Sequence, residues 1–139
     1  MRVATLLVID RQPVAGQWGE QTLNVPGALL PTLIPGAIGL GVFVEIEVDP
    51  QDTVAQQLDV WAYVRPLDST LQVVDELIEL LHLVTSPVAP VGTVAEPVNQ
   101  SFVAWIPSYT VDNPRQLWFE ARLNNIPEAE RWVSLVPRL

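Results

Sequence analysis

Two stretches near the middle of the chain alternate apolar and polar residues with a period of two. In the first, Val42, Val44, Ile46 and Val48 fall on one side, and Phe43, Glu45, Glu47 and Asp49 on the other. In the second, Leu58, Val60, Ala62 and Val64 oppose Asp59, Trp61, Tyr63 and Arg65. Successive strand side chains point to opposite faces, so each stretch predicts a strand with one buried and one wet face. The β-branched and aromatic content suits a pleated, half-buried surface. Asp49-Pro50-Gln51-Asp52-Thr53 between them is turn-forming, so the two are expected to pair as a hairpin.

Similar patterns recur along the chain. Val3–Ile9 is almost wholly apolar and predicts a central strand covered on both faces. Gly16–Gly19, which contains Trp18, predicts a turn, and Gln21–Val25 a short strand. Phe102–Ile106, Gln116–Asn124 and Trp132–Val136 predict further strands, with turns at Asp112–Arg115 and Asn124–Pro127. Pro87, Pro90, Gly92 and Pro97 make 86–98 a loop or a sheet edge. Leu71–Val84 is different. Val74, Leu77, Ile78 and Leu81 form a helical stripe, and Ser69 with Gln72 matches a capping box, so the local pattern predicts a helix.

Pro26–Gly41 carries Leu29, Leu30, Leu33, Ile34, Ile38 and Leu40 without one charge, but Pro26, Pro31, Pro35 and four glycines interrupt it. Those breakers predict an irregular segment rather than a helix or central strand. Such a segment either folds over the end of a core or, being free of charge, presents Leu33 and Ile34 to another subunit.

About seven short strands with regular turns predict an all-β domain over 1–139, an antiparallel two-sheet sandwich of immunoglobulin-like type. The chain has 139 residues, 13 prolines, 7 glycines and no cysteine. Its size suffices for one core. Without cysteine there is no disulfide, thiolate nucleophile or cysteine-bound metal. All seven basic residues are arginine, so lysine chemistry is excluded. A net charge of −9 argues against nucleic acid and anionic membranes as partners. The first ten residues do not read as a signal peptide, and no apolar run spans a bilayer, so a cytoplasmic location is expected.

The order of features resembles an uncharacterised bacterial domain-of-unknown-function family of short β-sandwich proteins. The segments that carry the resemblance are ATLLVID, GQWGEQTLNV, LIPGAIGLGVFVEIEVD, LDVWAYVRPLDST and SFVAWIPSYTVDNPRQLWFEARLNN. Arg115 stands where that pattern has a glycine. The resemblance implies an antiparallel sandwich in which Leu71–Leu83 is a strand, and it implies no activity.

Three constellations bear on chemistry. Glu45, Glu47, Asp49 and Asp52 are closely spaced carboxylates, but they lack the glycine-bearing loop of a calcium site and read as a solvated strand face. His82, the single histidine, could be combined with Ser86 or Ser101, but no nucleophile elbow is present. Trp61, Tyr63, Trp105 and Trp118 each lie opposite the aliphatic side of their own strand, and in one sheet they would form an aromatic platform. No cofactor or metal is expected. The expected function is a non-catalytic structural or adaptor role through protein–protein contacts, with self-association through Leu33 and Ile34 or the aromatic face. A carbohydrate-binding module using those aromatics, and a phage coat or tail accessory protein, are the alternative readings.

Overall fold

The computed structural model describes residues 1–15, 21–23, 25, 27–92 and 95–138, and the predicted turn around Trp18 lies outside them. No helix occurs among the described residues. The strands are β1 (Arg2–Ile9), β2 (Val14–Ala15), β3 (Gln21–Thr22), β4 (Leu29–Thr32), β5 (Gly36–Val48), β6 (Gln56–Pro66), β7 (Glu79–Val88), β8 (Val98–Val111), β9 (Arg115–Leu123) and β10 (Ile126–Pro137). Eight of them form two sheets, ordered β1-β5-β8 and β4-β10-β9-β6-β7, and β2 pairs with β3 separately. Every pairing is antiparallel except β4 with β10. The expected seven strands are therefore an undercount.

The apolar sides of both alternating stretches are wholly buried in one core, where Val42, Val44 and Ile46 join Leu58, Val60, Val64, Leu117 and Phe119. Burying each such side chain contributes about 1.5–3 kcal/mol. The predicted hairpin is nevertheless wrong. β5 and β6 belong to different sheets, and residues 49–55 carry the chain from one to the other. Alternation gives the same pattern for strands side by side and for strands facing each other across a core. The turn itself forms: Asp52 N–H donates to the Asp49 carbonyl at 2.9 Å, and Asp49 N–H donates to the Asp52 carboxylate at 2.8 Å. The Met1 ammonium donates to the same carboxylate at 2.7 Å, tying the turn to the start of β1.

Three further expectations are corrected. β1 is an edge strand paired only with β5, not a central one. The irregular segment Pro26–Gly41 contributes β4, whose Pro31 sits on a sheet edge, and the first part of β5. The helix over Leu71–Val84 does not form. Val74 N–H donates to the Pro66 carbonyl and Ile78 N–H to the Val64 carbonyl, both at 2.9 Å, so these donors go to the end of β6 instead of to a helical turn. The strand that the resemblance implies for this stretch begins only at Glu79.

Between the sheets, buried Arg115 donates to the Tyr109 hydroxyl at 3.3 Å, and that hydroxyl donates to Glu79 at 3.1 Å. One chain of bonds thus connects β8 in the smaller sheet to β7 and β9 in the larger. A glycine at 115 could not supply it. Burial is the main cause that pushes the Tyr109 hydroxyl's pKa up.

Candidate protein-docking face

The outward side of the five-stranded sheet is set by strand register. Phe119, Ala62, Val64 and Leu117 point into the core, so their neighbours along each strand point away from it. One row across four strands is Leu80, Tyr63, Trp118 and Trp132. The row on one side is His82, Trp61, Glu120 and Glu130, followed by Thr85, Asp59, Arg122 and Pro127. The row on the other side of the aromatic one is Arg65, Gln116, Ser134 and Leu29.

The aromatic row is held rigidly at its centre. Tyr63 and Trp118 rings pack with centroids 5.1 Å apart, and the Arg65 guanidinium lies over Trp118 at 5.5 Å. Trp118 Nε1–H donates to Glu130 at 3.1 Å. Arg122 donates to the Glu120 carboxylate and to the Tyr63 hydroxyl, and the Glu120 bond is the main cause that raises the arginine's pKa above its ordinary value. Trp61 stacks flat on His82 at 3.8 Å, and His82 Nε2 lies 2.7 Å from Asp59 Oδ1. At its two ends the band is open: Trp132 is 51% exposed and Leu80 48%. Leu29, in the adjoining row, is 63% exposed. Shallow recesses flank it, one of about 290 Å³ beside Glu120, Glu128 and Glu130, another of about 240 Å³ between Trp132 and Leu7.

Three of the six residues read from the sequence as contact residues, Trp61, Tyr63 and Trp118, therefore lie together. Trp105 does not join them. It is on β8 in the other sheet, opposite Gly41, with its ring spread over β5. A Cβ at Gly39 would stand 2.5 Å from its Cζ2. Leu33 is exposed between β4 and β5, whereas Ile34 is half-buried and packs on the core. Sequence reasoning missed Trp132, Leu80 and Glu130. Trp132 alternates with buried Val133 and Leu135, a signal already present within the predicted strand Trp132–Val136.

No family model matches the chain, and no curated protein sequence matches it. Among solved structures it is similar to Pseudomonas fluorescens alkylpurine DNA glycosylase AlkC bound to DNA containing an abasic site analog, at 13% identity and a TM-score of 0.46. That likeness covers 99% of this chain and 30% of the other, and at this size it carries no argument about activity.

The remaining constellations are dispersed by the fold. Glu47 pairs with Arg2 and Asp52 with Met1. Among the described residues no three potential ligands are grouped for a metal. Ser86 Oγ–H donates to the Pro87 carbonyl, and Ser101 lies in the other sheet from His82.

Proposed function

We propose that this chain is a non-catalytic structural or adaptor subunit that acts by docking a protein on the outward face of its five-stranded sheet. The observation that carries this reading is the Leu80–Tyr63–Trp118–Trp132 row, rigid in the middle and open at both ends. Aromatic anchors held by their neighbours lose little freedom on binding, which is why tryptophan and tyrosine concentrate at the energetic centre of interfaces. The matching fold reading is an immunoglobulin-like sandwich of the bacterial family that the sequence resembles, working in the cytoplasm. Two sheets sharing one core support it. A carbohydrate platform is less favoured because Trp105 is on the other sheet and one face of Trp61 is occupied by His82.

The test is site-specific photocrosslinking in the cells that make the protein. Crosslinkers replace Trp132, Leu80 or Leu29 on this face and Asn99 or Val103 on the other sheet. Crosslinks to a defined protein from the first set alone are expected. Equal or absent crosslinking from both sets would remove the reading.

A further inference from the structure

Strand β10 is twelve residues long, but its neighbour β4 covers only residues 134–137 of it. On its other side β9 runs along residues 126–135. Before Ser134, no strand among the described residues pairs with the β4 side of β10. Ser134 N–H points away from β9 and donates to the Ala28 carbonyl at 2.8 Å. Alternate residues of a strand turn their N–H and C=O the same way, so Trp132 and Glu130 also direct theirs off this edge. Arg131 Nη1 donates to the Glu130 carbonyl at 2.7 Å, as that direction requires. Neither the Glu130 nor the Trp132 N–H has a backbone partner among the described residues. Such an edge is a template for another strand.

We propose that the docked protein contributes an extended segment that pairs with this open edge at Glu130 and Trp132, in line with β4. This rests on the docking reading above and names the partner's chemistry. A recess of about 180 Å³ lies against Glu130, Arg131 and Trp132, where the segment runs. Backbone bonds hold such a strand, and its alternate side chains select it. On the outward side they meet Trp132 and Glu130. Glu130 accepts the Trp118 indole N–H, and Glu128, which lines the same recess as Glu130, has no hydrogen bond or ion pair among the described residues. Neither carboxylate has a cation, so an arginine or lysine of the segment fits there. On the opposite side, the recess of about 240 Å³ bounded by Leu7, Val8 and Val133 takes the neighbouring residue if it is apolar. A second copy fits poorly, because pairing two β10 edges antiparallel about Glu130 sets that carboxylate against its own counterpart.

The experiment is photocrosslinking from position 29, repeated in Glu130→Pro and Glu130→Gln chains, with circular dichroism as a check on folding. Proline removes the outward N–H and leaves the bonds to β9 in place, whereas glutamine keeps the N–H and removes the charge. Glu130→Pro should lose at least about tenfold of the crosslinked product, because its ring also blocks the incoming strand. Glu130→Gln should lose only about threefold. Hydrogen exchange on the wild-type crosslinked complex gives a second measure that does not depend on the proline variant folding. The Glu130 and Trp132 amides should exchange at least about tenfold more slowly than in the free chain. A folded Glu130→Pro chain that crosslinks like wild type, amides without protection, or a partner that is the chain itself would overturn the edge pairing and leave the docking reading standing. No crosslinks from any position of the face would end both.

Discussion

Leu71 has a φ of 62°, in the left-handed region that a leucine seldom occupies. The loop around it enforces this. Asp68 Oδ1 accepts from Thr70 N–H at 2.8 Å, Thr70 Oγ1–H at 2.6 Å and Gln72 N–H at 3.1 Å. The Leu71 side chain is itself exposed, so little burial offsets the strain. Leu71→Gly is therefore expected to be more stable than Leu71→Ala by about 1 kcal/mol, measured by chemical denaturation, since alanine keeps the strain and glycine does not. An alanine variant as stable as the glycine one would show that the loop relaxes. Asn124 and Asn125, with φ of 49° and 64°, make the two-residue turn between β9 and β10, a conformation that asparagine tolerates. That turn was legible from the Asn-Asn pair; the Leu71 conformation was not, because no local residue signals it.

At the scale of elements, glycine spacing in β5 is explained by its neighbour β8. A Cβ at Gly41 would collide with the Ala104 carbonyl oxygen and stand 3.0 Å from Trp105 Cε3. Gly41→Ala should lower stability by about 1–3 kcal/mol and shift the emission of Trp105, because the contact is with backbone and a packed ring. A loss below about 0.5 kcal/mol would mean that β8 can move aside. Within the sequence these glycines read as breakers of a loop. In the fold they are the floor on which an indole lies, and this takes Trp105 out of the platform that its alternation suggested. The stretch 71–78 shows the same override. Its helical stripe was real, but backbone bonds to Pro66 and Val64 decided its conformation.

For the molecule as a whole, pH dependence follows from a few carboxylates. The Met1 ammonium's hydrogen bond, then the Asp49 backbone, hold the Asp52 carboxyl below its ordinary value. Thr70's hydroxyl, then the Gln72 backbone, do the same for Asp68. Both groups hold protons less tightly in the folded state than in the unfolded chain. Their contribution is therefore complete above the unfolded value of about 3.9 and is lost as pH falls through the lower folded values. The raised Tyr109 acts at the other end, with stability falling as pH rises above about 10. The melting temperature should fall below about pH 4, and less steeply in Asp52→Asn, which has lost one of the titrating groups. Parallel acid profiles for the two proteins would contradict this.

Period-two alternation established, without any structure, that the chain is built of strands and which side of each is apolar. Val42 to Val48, Leu58 to Val64 and Leu117 to Leu123 all bury the side expected. It also placed Trp61, Tyr63 and Trp118 outward. Alternation reports the side of a strand and carries no information on its neighbour. Pairing between distant segments assigned β5 and β6 to different sheets, separated Trp105 from the other aromatics, and set Tyr63 beside Trp118. The candidate docking face exists only through that register, because β6 and β9, which carry Tyr63 and Trp118, lie far apart in the chain, and β7 and β10 add Leu80 and Trp132 on either side of them.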